Sequence, residues 1–245
     1  MRDGLRLALT TFTILPLRTG RVDRAGARIA MALGPLVGAL LGLALGGAAL
    51  GLRALHAPGP VLGGMVVGLG ALLTRGLHLD GLADTVDGLG SYAGRERALE
   101  IMRKPDVGPF GAVALVLTLL IQAGAVAALA GRPLALAAAL ATGRLAVTAA
   151  CRRGVPAARP DGLGALVAGT VRVPELAVAV AAVAALGVFA AGWQGPVAVL
   201  AGLATALLLL WHARRRLGGI TGDVLGALVE VGQTVALVVL VLRVA

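Results

Sequence analysis

The chain has 245 residues, of which 58% are hydrophobic, and a mean hydropathy of +0.94. Soluble domains carry about 45–50% apolar residues, so this composition excludes an ordinary water-soluble fold and makes membrane lipid an obligatory partner. The formal charge of +10 falls in clusters between apolar runs of about 20 residues, a spacing that fits membrane spans and argues against nucleic acid as the partner of the basic residues.

The first segment, MRDGLRLALTTFTILPL, has the basic start and short apolar stretch of a signal peptide. No small-residue cleavage site follows, and Arg18, Arg21, Arg24 and Arg28 come next, so it is read as an interfacial or re-entrant helix that stays on the mature protein. Apolar stretches then predict spans at 28–52, 61–79, 110–130, 134–151, 175–191, 196–212 and 224–242, each near the length that crosses about 30 Å of hydrocarbon. None alternates apolar and polar residues as a barrel strand would. The expected fold is all-α: a polytopic integral membrane bundle of about seven transmembrane helices plus the N-terminal helix, forming a single transmembrane catalytic domain over 1–245. Cys151 is the only cysteine, so no intrachain disulfide can form.

Orientation follows from the arginines, because basic loops are retained on the cytoplasmic side during insertion. With the N-terminus inside, nineteen of the twenty-two basic residues fall on inner segments, and only Arg53, Arg132 and Arg243 lie outside. All twelve Asp and Glu residues lie inside or in a helix that starts inside. The chemistry is therefore expected at the cytoplasmic face, in the inner segments near 80–108 and 151–174. In the first span Gly34, Gly38, Gly42 and Gly46 recur every four residues, a smooth stripe for close backbone approach. Packing within one chain is the favoured use of that stripe, and a homo-oligomer face the alternative.

The stretch TRGLHLDGLADTVDGLG places Asp80, Asp84 and Asp87 at i, i+4 and i+7, which on a helix puts three carboxylates about one turn apart on one face. Three such charges at the membrane edge repel one another unless a cation sits between them, and hard oxygen ligands suit Mg²⁺, with Mn²⁺ a second choice. Mg²⁺ takes one or two carboxylates together with substrate phosphates, so the cluster reads as a phosphate-handling metal site. His78 beside it is read first as an interfacial side chain.

Near the other end, GGITGDVLGALVEVGQ starts the last span with Asp223 and places Glu230 seven residues on, about two turns into the membrane. A carboxylate there is costly unless it pairs or works, and Glu230 is expected to face the cavity holding the aspartates. Arg103, Lys104, Arg144 and Arg159 are the basic candidates for phosphate oxygens, guanidinium groups by bidentate contact. Lys104 is the only lysine.

FTILPL, LHLDGLADTVDGL, RALEIMRKPDVGPFG, ATGRL followed by PAARPDGLGAL, and GGITGDVLGALVE occur in order from Phe12 to Glu230. In these motifs the chain resembles the cobalamin synthase family, membrane enzymes also called adenosylcobinamide-GDP ribazoletransferases. The resemblance implies that a hydroxyl of α-ribazole, or of its 5′-phosphate, attacks the cobinamide-proximal phosphorus of adenosylcobinamide-GDP and releases GMP. It also implies Mg²⁺ dependence and a bacterial inner-membrane location. Carried onto this sequence, it implies Asp80, Asp84 and Asp87 as metal ligands, Asp223 on the substrate side, and either Asp84 or Glu230 as the group that takes the proton. Gln233 departs from the family pattern, which has a second acid there, so the last helix is not expected to act through two carboxylates. A CDP-alcohol phosphotransferase would carry Arg where Thr85 stands, and a transporter would place its acids at the bilayer midplane between inverted repeats; both fit less well.

Overall fold

In the computed structural model, which describes residues 2–17, 20 and 22–242, the chain is helical apart from two isolated bridges between loops. Arg18, Arg21 and Arg243, used above for orientation, lie outside the described residues. The helices are α1 (Arg2–Phe12), α2 (Arg24–Ala54), α3 (Gly59–Leu73), α4 (Leu77–Gly90), α5 (Arg95–Ile101), α6 (Pro109–Ala128), α7 (Pro133–Ala150), α8 (Gly162–Val167), α9 (Val173–Ala191), α10 (Gln194–Leu217) and α11 (Gly222–Val241). Six of them, α2, α6, α7, α9, α10 and α11, are each long and apolar enough to cross a membrane, and α3 joined to α4 makes a seventh if the bent pair is counted as one span. Each expected span thus corresponds to a helix. The fold is a polytopic helical membrane bundle.

The second expected span needs correction. Hydropathy carries it to residue 79, but the helix ends at Leu73 and the chain turns through 92° into α4. Arg75 and Gly76 both take left-handed backbone angles, φ 57° and 64°, which interrupt the α-helical hydrogen-bond ladder. Gly59 faces Ala127 and Gly63 faces Ala123, so α3 runs antiparallel to α6 and ends near its start. From there α4 lies against the starts of α11 and α6.

At the centre stands α7, where every residue from Ala135 to Ala150 is buried. Its alanine-rich sequence allows neighbours to approach closely on all sides. The glycine stripe of α2 packs on it: a Cβ at Gly38 would lie 2.5 Å from the Leu140 carbonyl oxygen, one at Gly42 2.5 Å from Ala137 Cα, and one at Gly46 2.6 Å from Pro133 Cα. The Gly34/Gly38/Gly42/Gly46 face is thereby taken up by packing within one chain, the use favoured above over a homo-oligomer. The N-terminal helix α1 buries Gly4, Ala8 and Phe12, spaced four apart, against α2.

One end of the bundle is polar, and its arginines bind the connections to one another. Arg24 donates to the carbonyls of Ala165 and Ala168, Arg75 to Thr10, Arg95 to Ala158, Arg214 to Gly154 and Arg216 to Ala93. The segment after α7 is pinned further by backbone pairing of Ala158 with Ile220 and of Arg153 with Val171. That pairing carries Arg159 to the start of α11.

Replacing Gly42 by Leu drives a side chain into the α7 backbone and lowers stability by about 1–3 kcal/mol. Thermal unfolding in detergent measures this against Gly47→Leu, whose side chain enters open space and leaves the midpoint unchanged.

Candidate active site

The acidic motif forms α4, and its glycines explain how the helix is seated. A Cβ at Gly81 would strike the Asp223 carbonyl oxygen at 2.6 Å, and one at Gly88 would strike Met102 of the α5 cap at 2.5 Å. Glycine at both positions therefore lets α4 rest directly on the start of α11 and on the end of α5, with Asp84 and Asp87 between these contacts and Asp80 just before the first. Their exposure falls along the helix: Asp80 is exposed, Asp84 half-buried and Asp87 buried.

Asp87 has a structural task. Its Oδ2 accepts from the Gly108 N–H at 2.8 Å and its Oδ1 from the Gly111 N–H at 2.9 Å. These are the N-cap and third residues of α6, where N–H groups lack partners inside the helix and negative charge is favoured by the helix dipole. Gly108 has no side chain to cap with, so α4 supplies the cap from outside. The expectation of Asp87 as a metal ligand meets a carboxylate whose two oxygens are already engaged.

Asp80 opens on a cavity of about 370 Å³ shared with Arg103, Arg159, Asp161 and Asp223. Arg159 Nη1 lies 3.6 Å from Asp223 Oδ2, and Arg159 Nη2 donates to the Leu99 carbonyl at 2.8 Å. Its Nε is buried with no hydrogen-bond partner among the described residues, an unusual state for a guanidinium donor. Arg103 pairs with Asp161 at 3.1 Å at the cavity rim. Thr221 donates to Asp223 and caps α11 by accepting from Val224 N.

Further along the same face of α4, Asp84 and Asp87 share a cavity of about 230 Å³ with Lys104 and Asp106. The adjacent residues Arg103 and Lys104 thus line two cavities that follow one another along α4. Asp84, outside the six long apolar helices, has its carboxyl pushed up to about 7, first by burial and then by the charges of Asp80, Asp223 and Asp87, with Arg159 opposing. Among the described residues no three His, Cys, Asp or Glu side chains converge into a ready metal cage. What stands there instead is a group of mutually repelling carboxylates facing open cavities, the donor set a hard divalent cation takes when phosphate oxygens complete its shell.

Two expected site residues lie elsewhere. Glu230 is buried in the bundle, where its Oε2 accepts from Gln122 Nε2 at 2.7 Å and Gln233 Nε2 at 2.9 Å. The expectation that it faces the aspartates' cavity is therefore wrong, because polar side chains of α6 and α11 satisfy it inside the membrane region. Arg144 is equally buried, donates from Nη1 to Gln233 Oε1 at 2.7 Å and, with Glu230, lines a cavity inside the bundle apart from the aspartates. His78, expected at the interface, is buried against Arg144. Sequence reading also passed over Asp161, although it stands in PAARPDGLG beside Arg159, and Gln122, a lone amide in the span 110–130.

Removing the Asp87 cap by Asp87→Ala costs about 1–2 kcal/mol. Unfolding in detergent detects this loss, whereas Asp80→Ala, an exposed carboxylate in a repelling group, leaves stability unchanged.

A family model described as Cobalamin-5-phosphate synthase matches residues 4–241. The adenosylcobinamide-GDP ribazoletransferase of Frankia casuarinae is 45% identical, the match covering 98% of this chain and 94% of that protein. The protein of the same name from a Nocardioides species is 41% identical over 97% of each chain, and that of Corynebacterium efficiens 37% identical over 97% of this chain and 90% of its own. No solved structure matches. Identity at this level over nearly the full length takes in the bundle and the acidic motif together, and the chain belongs to the cobalamin-5-phosphate synthase family.

Proposed function

We propose that this chain is an adenosylcobinamide-GDP ribazoletransferase acting in cobalamin biosynthesis. Family membership supports the reaction class, and the observation that carries the site is the convergence of Asp80, Asp223, Arg103 and Arg159 on one cavity at the polar end of the bundle. In the reaction a hydroxyl oxygen of α-ribazole, or of its 5′-phosphate, forms a bond to the cobinamide-proximal phosphorus of adenosylcobinamide-GDP. The bond from that phosphorus to the GMP oxygen breaks, and the hydroxyl proton passes to a carboxylate. Such transfers depend on charge neutralisation and in-line placement of the attacking oxygen.

Arg159 and Arg103 balance the diphosphate beside Asp80, and Lys104 does so one turn along the same face, beside Asp84. The unpartnered Arg159 Nε supplies a donor for a phosphate oxygen, and substrate binding draws Arg103 away from Asp161. Asp84 is the proton acceptor: it faces a cavity, and a carboxyl poised near neutrality suits a general base. Asp80 would hold Mg²⁺, or Mn²⁺, together with phosphate oxygens of the substrate, and the ion would neutralise charge on the transferred phosphate while Asp84 stays free to take the proton. The polar end faces the cytoplasm of a bacterial cell across its inner membrane, in keeping with the arginines gathered there.

Detergent-purified protein given adenosylcobinamide-GDP, α-ribazole and Mg²⁺ releases one GMP per product, and EDTA stops the release; a protein that turns over without divalent metal refutes the metal assignment. Asp84→Asn lowers the rate at least about 100-fold, within the range for losing a general base. Because it removes a repelled charge, the same variant unfolds at an equal or higher temperature.

A further inference from the structure

The buried polar groups left out of the chemistry form one connected line through four helices. Gln122 of α6 donates to Glu230 of α11, Gln233 donates to the same Glu230 oxygen, Arg144 of α7 donates to Gln233 Oε1, and Arg144 Nη2 lies 3.5 Å from His78 Nδ1 of α4. Among the described residues the buried guanidinium and carboxylate do not touch; the Gln233 amide stands between them with its oxygen toward the cation and its nitrogen toward the anion. The inner glycines of the α2 stripe make room for this line, since a Cβ at Gly38 would fall 2.9 Å from Arg144 Cδ. A charge buried in an apolar bundle is tolerated only when held by partners of this kind.

The line ends on the first turn of α4. Arginine can only donate, so this contact is a hydrogen bond in the tautomer whose Nδ1 accepts and whose ring proton sits on Nε2. His78 also lies against Phe12, ring centroids 6.2 Å apart, and its backbone packs against Gly226 of α11. Asp80 follows two residues later and Asp84 one turn beyond.

We propose that Arg144 is a positioning residue for the transfer reaction: anchored from behind by Gln233 and Glu230, it holds His78 and so sets the placement of Asp80 and Asp84 against the substrate. The inference rests on the proposed transferase activity. Displacement of catalytic groups by about 1 Å costs on the order of 100-fold in rate without weakening substrate binding. Arg144→Lys keeps the charge but cannot reach Gln233 and His78 together, and His78→Phe keeps the volume but removes the acceptor.

Each variant is expected to lower kcat about 10- to 100-fold with KM for adenosylcobinamide-GDP within twofold of wild type, and the double variant to be no worse than the poorer single one. His78→Asn, whose Oδ1 can replace Nδ1, restores activity to within about threefold. Hydrogen–deuterium exchange of residues 77–90 supplies a readout free of any assay: α4 exchanges faster in Arg144→Lys and His78→Phe, while α2 and α7 do not. A raised KM in Arg144→Lys, additive losses in the double variant, or α4 exchange equal to wild type would overturn the proposal. If wild-type protein shows no turnover, the transferase reading fails, and the exchange experiment still decides whether the line holds α4.

Discussion

The polar end of this molecule depends on how one short helix carrying three carboxylates is held against the starts of two apolar ones. α4 has no apolar span of its own, and its like charges oppose close packing. Glycine contacts at Gly81 and Gly88, the Asp87 cap on α6, and the approach of Arg144 to His78 seat it instead. Each contact fixes the helix through a different neighbour, so backbone packing, helix electrostatics and a buried cation act on the same element. Negative charge is accepted at this edge because it is used there, once to terminate α6 and otherwise to line the two cavities beside the helix.

The arginines divide into two populations that composition does not separate. Several of those at the polar end donate to backbone carbonyls of distant segments, binding the connections into a lid-like layer over the spans. Among the described residues, only Arg103 and Arg159 combine a place on the Asp80 cavity with pairing to carboxylates. Lys104 stands apart in lining the Asp84 cavity. Arginine serves the first purpose well because its planar fork reaches two acceptors at once.

The spans were legible because an apolar stretch of sufficient length has one stable arrangement in a bilayer, and each expected stretch became a helix. The bend at Thr74–Gly76 was not, since hydropathy averages over residues and carries no information on the sign of φ at Arg75. Asp80, Asp84 and Asp223 could be found from their spacing and motifs, whereas the engagement of Asp87 by Gly108 and Gly111 is a contact between segments more than twenty residues apart. Glu230 was rightly singled out as costly, but its partners Gln122 and Gln233 are amides, and sequence alone offers no rule for which polar group a buried carboxylate will meet. Asp161 escaped for the opposite reason: a single aspartate before a glycine has the look of a turn.

The enclosed position of α7 has a consequence for biogenesis. Its mean hydropathy is 1.4, against 1.9 to 2.2 for the other long spans, and it carries Arg144 at a depth where a charge resists entry into lipid. Touching little lipid once folded, α7 is freed from the demand that shapes its neighbours. Of the helices packed on it, α2 precedes it in the chain while α9, α10 and α11 follow, so the glycine-lined face of α2 is the first surface synthesised that can shelter it.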